Sequence, residues 1–141
     1  MDKKYSRYIT GALILVMVFV VAIRMQNAAS VGIDFNDTQI VISGPSGTEP
    51  ISINYNDIQS ITLLDNYNVG TKLSGVENRR LYYGTFENDT YGTYSLCAVP
   101  SISSIIEIRT ENDIVLFNYE SNKVTTALSA SMTEFVSEKQ Q

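Results

Sequence analysis

"SIIEIRTENDIVLFNYESNKVTTALSASMTEFV", residues 104–136, holds two short β-patterned runs, a polar break between them, and an amphipathic stretch. The runs "SIIEIRT" (104–110) and "DIVLFNY" (113–119) flank "END", a turn-prone trio, and so read as an antiparallel hairpin. Ile106 and Ile108 share one face of the first strand, and Glu107 and Arg109 share the other. The second strand is apolar on both faces from Ile114 to Phe117, as expected when the core covers one side and another element covers the other. Beyond it, Ser121 or Asn122 is a suitable N-cap. Val124, Leu128, Met132 and Phe135 then recur at helical spacing with Val136 beside them. The final "SEKQQ" is expected to fray.

Upstream, from Gly32 onward, Val, Ile, Tyr, Phe and Thr alternate with polar residues in short runs, a strand-and-turn pattern. "DTQIVISG" (37–44) and "EPISINYNDI" (49–58) flank the Gly/Pro cluster "GPSGTEP" and predict a hairpin; "SITLLD" (60–65) predicts a further strand. "NYNVGTKLSGVEN" (66–78) is polar and glycine-containing, and reads as a long surface loop. "RRLYYGTF" (79–86) and "YGTYSLCAV" (91–99) lie either side of "ENDT", so the doubled Gly-Thr-aromatic falls on two paired strands. Phe86 and Tyr94 can then pair across strands or cover the backbone at Gly84 and Gly92. A phosphate cradle would need its glycines between a strand and a helix N-terminus with a lysine close by, which this segment lacks.

The chain has 141 residues, 44% of them hydrophobic, enough for one compact domain plus a targeting segment. It has no histidine, no tryptophan and one cysteine, Cys97. Intrachain disulfides, clustered Cys/His metal sites and a thiol–imidazole pair are thereby excluded. From Ser30 onward there are 6 basic and 14 acidic residues, a net charge of −8. Such a surface repels polyanions, which argues against nucleic acid and anionic lipid head groups as partners.

"YITGALILVMVFVVAI" (8–23) carries no charge and is bounded by Arg7 and Arg24. As a helix it spans about 24 Å against a hydrocarbon layer of about 30 Å. Interfacial Tyr5 and Tyr8, and snorkelling by Arg7 and Arg24, can close the difference. Three readings compete: a membrane anchor, a cleaved signal peptide with "NAAS" (27–30) as its small-residue site, and a buried helix. The buried helix is least favoured, because the stretch is apolar all round. No cysteine follows the run, so lipoprotein processing is not available. Lys3, Lys4 and Arg7 precede it and Arg24 follows. Positive-inside bias therefore puts the N-terminus in the cytoplasm and the remainder outside. The expected organisation is a cytoplasmic tail at 1–7, a transmembrane helix at 8–25, a linker at 26–31, the domain at 32–137 and a frayed tail at 138–141.

About seven antiparallel strands followed by one amphipathic helix resembles the pleckstrin-homology (PH) superfold, a bent sheet or barrel with the helix plugging one end. In particular, "GVENRRLYYGTFENDTYG" (75–92), then a hairpin ending in "LFNYES" (116–121) and a helix, resembles the PH-like domains of Gram-positive bacterial membrane proteins. The resemblance implies a mainly β domain with no shared catalytic residues, often used for protein contacts. Phosphoinositide-binding relatives place basic residues in the first hairpin loop. Here that loop, residues 44–50, has Glu49 and no cation, so lipid-head-group recognition is not carried over.

Arg79, Arg80, Tyr82 and Tyr83 form a basic, aromatic cluster in sequence that could contact a partner. The plainer reading pairs an arginine with Glu77 or Glu87 and packs one tyrosine in the core, and it is favoured. The nine tyrosines could build a carbohydrate surface but more often suit half-buried strands. Asp34, Asp37, Glu111 and Asp113 lack the spacing of a calcium loop. Paired carboxylates for glycoside hydrolysis find little room for a cleft in so small a domain. Cys97 reads as a buried, inert thiol. No catalytic, cofactor-binding or metal residue is therefore expected. The expectation is a single-pass, membrane-anchored, non-catalytic PH-like module that binds another membrane or envelope protein, with its domain outside the cell. The alternatives are a small barrel binding a lipid or carbohydrate, a secreted form with the signal cleaved, and the reverse orientation. The non-catalytic reading is tied to a closed, all-antiparallel unit whose interior is filled by its own side chains; parallel strands, or an open hollow lined with ionisable groups, would overturn it.

Overall fold

The computed structural model describes Gly11 and residues 31–141. The anchor expected at 8–25 and most of the linker at 26–31 lie outside the described residues. Among the described residues no helix is long and apolar enough to cross a membrane.

The described residues form two open sheets and a C-terminal helix. β1 (Gly32–Phe35), β2 (Gln39–Ser43) and β3 (Ile51–Asn54) make a three-stranded antiparallel meander. A 3-10 turn at Tyr55–Asp57 leads into β4 (Ile58–Leu64). β5 (Thr71–Glu77), β6 (Tyr82–Asn88), β7 (Gly92–Ala98), β8 (Ile105–Thr110) and β9 (Ile114–Phe117) follow, in a six-stranded sheet ordered β4-β8-β9-β7-β6-β5. α1 (Asn122–Lys139) closes the chain.

The expectation of one antiparallel bent sheet of about seven strands needs three corrections. Among the described residues there are nine strands, they form two sheets, and β7 pairs with β9 in parallel. The parallel pair arises because the β8–β9 hairpin folds back as a unit beside β7. Buried Asn118 braces that return: its Oδ1 accepts from the Val99 N–H at 2.7 Å and its Nδ2 donates to the Ile102 carbonyl at 3.1 Å. The loop expected at 66–78 is also corrected, since β5 occupies 71–77, leaving 65–70 as the β4–β5 connection and Asn78 in the β5–β6 turn. β5 pairs with β6 through Gly75 opposite Gly84, with φ of 109° and 134°. A Cβ on Gly84 would collide with the Ser74 carbonyl oxygen, so this close approach of two backbones needs glycine.

Strand alternation sends the side chains of the large sheet into two layers. Tyr83, Cys97, Ile106, Ile108, Val115 and Phe117 face inward. They meet Ile40, Ile42 and Ile53 of the small sheet and Leu128, Met132 and Val136 of α1. Each such aliphatic or aromatic side chain contributes about 2 kcal/mol relative to exposure. α1 packs against β4, β8 and the 3-10 turn. Ser121 is its N-cap, its Oγ accepting from the Val124 N–H at 3.1 Å, and Phe135 makes edge contacts with Phe35 and Tyr55. The tail expected to fray at 138–141 is instead tied down: the helix runs to Lys139, and Gln140 Nε2 donates to the carbonyls of Tyr55 and Ile58 at 2.7 and 2.8 Å.

Phe86, Tyr94, Leu96, Ala98, Ile105 and Leu116 face outward, covered in part by Tyr67, Val69 and Tyr91. Phe86 and Tyr94 are direct cross-strand partners with ring centroids 6.3 Å apart, as the doubled motif suggested. On this same face Glu107 is buried, accepting from the Tyr91 hydroxyl at 2.6 Å and from Arg109 Nε at 2.5 Å. The Arg109 guanidinium lies 5.4 Å from the centre of the Tyr91 ring.

Two stability outcomes follow from these contacts. Gly84→Ala is expected to cost about 2–3 kcal/mol in urea denaturation, because it adds positive-φ strain to a backbone collision. Thr93→Ala, exposed on β7, should stay within about 0.5 kcal/mol. Burial alone would raise the Glu107 carboxyl, but hydrogen bonds from Arg109 and Tyr91 and the Arg109 charge together hold it below its ordinary value. A carboxyl lowered in the folded state adds stability above its unfolded value of about 4.3, and that contribution is lost as pH falls through the lower folded value. Denaturation midpoints measured below pH 5 should therefore fall less steeply for Glu107→Gln than for the parent chain. A parallel decline in both would contradict the assignment.

Candidate functional site

Where the two sheets splay apart they leave an open groove of about 760 Å³. One wall is β3, and all four of its residues, Ile51 to Asn54, line the groove. Successive side chains of a strand point to opposite faces, and a groove along the strand's edge is one that meets all four residues through their backbone. That edge is the open side of the small sheet, since β3 pairs with β2 alone.

The floor crosses the large sheet. Thr85 of β6 lies opposite Ser95 of β7, and Ser95 opposite Val115 of β9, a continuous row on the inward face. Ser74, opposite Thr85, extends it to β5. α1 covers the β4 and β8 side of this face, so the groove occupies the side the helix does not reach.

Tyr83 holds wall and floor together. Its ring is 1% exposed, and its hydroxyl lies 2.9 Å from the Ile42 carbonyl and 2.7 Å from the Glu49 carbonyl, to which it donates. Gly44 permits the contact, because a Cβ there would stand 2.5 Å from the ring. Burial, reinforced by the neighbouring Cys97, pushes the Tyr83 phenol up to about 12, so it remains a neutral donor.

The groove is polar and acidic. Glu49, Asp57 and Asp113 stand at it, and no lysine or arginine does among the described residues that line it. Asp57 accepts from Asn54 Nδ2 at 3.3 Å. Tyr83 is the groove's one aromatic among the described residues, and it is buried. The lining therefore offers hydroxyls, carboxylates and strand backbone, and neither a stacking platform for a sugar nor an apolar trough for a lipid chain.

The residues singled out from sequence do not converge. Arg79 and Arg80 are exposed at the β5–β6 turn, which Asn78 Oδ1 organises by accepting from the Arg80 and Leu81 N–H groups at 2.8 and 2.9 Å. Among the described residues no carboxylate pairs with either arginine, so the expected partners Glu77 and Glu87 do not serve. Tyr82 lies on the outward face, its ring centroid 6.3 Å from that of Phe86, and Tyr83 lies in the inward core, so the two tyrosines are on opposite sides of the sheet. Asp34 lies on β1 and Asp37 in the β1–β2 turn, whereas Glu111 and Asp113 lie in the β8–β9 turn. Among the described residues no set of three His, Cys, Asp or Glu side chains could hold a metal ion. Cys97 is buried, and burial pushes its thiol up to about 12, the behaviour of an unreactive core residue.

Sequence reasoning found Tyr83 but gave it to a surface patch or the core, and missed the groove entirely. The available signal was "ISIN", a strand with no charge, next to a Gly/Pro-rich connection.

No curated protein and no solved structure matches the chain. A family model described as a bacterial PH domain matches residues 31–121, from just before β1 to the N-cap of α1. The match spans both sheets, the splayed groove and the β8–β9 hairpin that carries the helix, and on it the chain belongs to the bacterial PH domain family.

Proposed function

We propose that this chain is a membrane-anchored, non-catalytic PH-like module that binds another protein at the membrane surface. A bacterial PH domain suggests an interaction or ligand-binding module, and the observation that favours a protein ligand is the groove along the unpaired edge of β3. Strand edges recognise polypeptide backbone, whereas the filled core and polar groove offer little to a lipid chain or a stacked sugar. The parallel β7–β9 pair and the open groove with Glu49, Asp57 and Asp113 at it each remove a support of the non-catalytic reading, which rests instead on the family alone.

The anchor is argued from the uncharged run at 8–23, and the outward orientation from Lys3, Lys4 and Arg7 before it. Tethering in the membrane plane raises the module's effective concentration near a membrane-bound partner, so a modest intrinsic affinity suffices.

The full chain, tagged at its N-terminus, is expected to stay with membranes through an alkaline carbonate wash. Protease added to intact cells should remove the domain and spare the tag. Release by carbonate would sink the anchor, and protection of the domain would reverse the orientation. Cross-linking in those membranes should trap the chain with a second protein species. A chain that always runs alone would contradict the interaction role.

A further inference from the structure

We infer that the groove takes a basic peptide segment in extended conformation, which adds to β3 as a fourth strand of the small sheet. This rests on the protein-binding role above and names the site and the chemistry of the partner.

Three features lead there. First, β3 lacks the devices that normally blunt a sheet edge. "ISIN" carries no charge and no proline, and its pairing with β2 runs without a bulge from Gln39–Asn54 to Ile42–Ile51. The free edge of β5 differs, with Lys72 on it and an irregular register between Lys72 and Ser74. Second, the edge does not face open solvent. It faces the floor row Thr85, Ser95 and Val115, so an added strand would have side chains above a surface that can sort them. Four residues of β3 span about 13 Å, which suits an incoming strand of five or six residues.

Third, the charge is one-sided. Glu49 precedes β3, Asp57 follows it, and Asp113 reaches the same groove from the β8–β9 turn. With no cation among the described lining residues, a segment bearing Lys or Arg is attracted and an acidic one is repelled. The domain's net charge of −8 adds to both effects at long range. The combination specifies the occupant: main-chain hydrogen bonds along the edge supply affinity, and cationic side chains at alternate positions supply selectivity.

The test uses the full chain in detergent micelles and a phage-displayed library of random octapeptides. Selected peptides are synthesised and their affinity measured by fluorescence anisotropy. Enrichment of Lys and Arg is expected. Methylating alternate backbone nitrogens, with side chains unchanged, should weaken binding at least tenfold, because it removes donors without touching charge. Asp57→Lys combined with Asp113→Lys should also weaken it at least tenfold. Asp57→Asn with Asp113→Asn, expected to keep the parent's urea midpoint, should give a smaller loss in the same direction.

No enrichment, enrichment without basic residues, or binding indifferent to methylation or to both groove variants would overturn the inference. So would self-association abolished by the same variants, which would put a second copy in the groove. Peptides that bind while ignoring the groove variants would leave the protein-binding role standing and remove only this site. A failure to cross-link any second protein in membranes would strike the role itself.

Discussion

The phenol of Tyr83 is the constraint on which the arrangement of the two sheets depends. Its ring belongs to the large sheet's inward layer, and its hydroxyl reaches carbonyls at the end of β2 and in the β2–β3 connection. A buried carbonyl without a donor costs about 1–3 kcal/mol, so the contact is difficult to exchange for another. It fixes the distance between the sheets where α1 no longer covers the inward face. Gly44 admits the ring, and the Gly75–Gly84 pair lets β5 and β6 approach closely beside it. The groove is thus a consequence of a well-packed core ending, not of a core left unfilled.

A second constraint shapes the outward face. β4 and β5 are opposite edges of the six-stranded sheet, yet only residues 65–70 connect them. In a flat sheet those edges would be about 24 Å apart, close to the full reach of such a connection. The chain therefore crosses the outward face as a strap, and a curled sheet eases the crossing. The Tyr94 hydroxyl donates to the Val69 carbonyl at 2.6 Å and Asn88 Nδ2 to the Asn68 carbonyl at 2.6 Å, holding the strap down while Tyr67 and Val69 pack beneath it. Tyr94 does this from the very position where the doubled Gly-Thr-aromatic places it opposite Phe86.

Local signals carried the elements whose pattern and packing agree. The β2–β3, β6–β7 and β8–β9 hairpins are each announced by a turn cluster between alternating runs, and Ser121 caps the helix as its sequence suggests. β9, apolar on both faces, is indeed a central strand with β8 and β7 either side. What escaped is non-local. β5 is exposed at every position but Val76, so it has no alternation to read, and it exists as a strand because β6 pairs with it across two glycines. The parallel β7–β9 register depends on Asn118 reaching back to Val99 and Ile102, a contact no window of sequence displays. The groove is less legible still, being assembled from the 47–57, 74–75, 83–85, 95 and 110–115 segments, each an ordinary strand or turn by itself.

The account therefore turns on an edge. A filled interior, an acidic surface and an unblunted strand beside a polar floor together favour recognition of another chain's backbone. Amide hydrogen exchange of the full chain, with and without a bound basic peptide, tests this most directly. The groove-facing amides of Ile51 to Asn54 should exchange readily in the free chain and slow at least tenfold on binding, with little change along β5 and α1. Unchanged exchange in β3 with new protection elsewhere would contradict it.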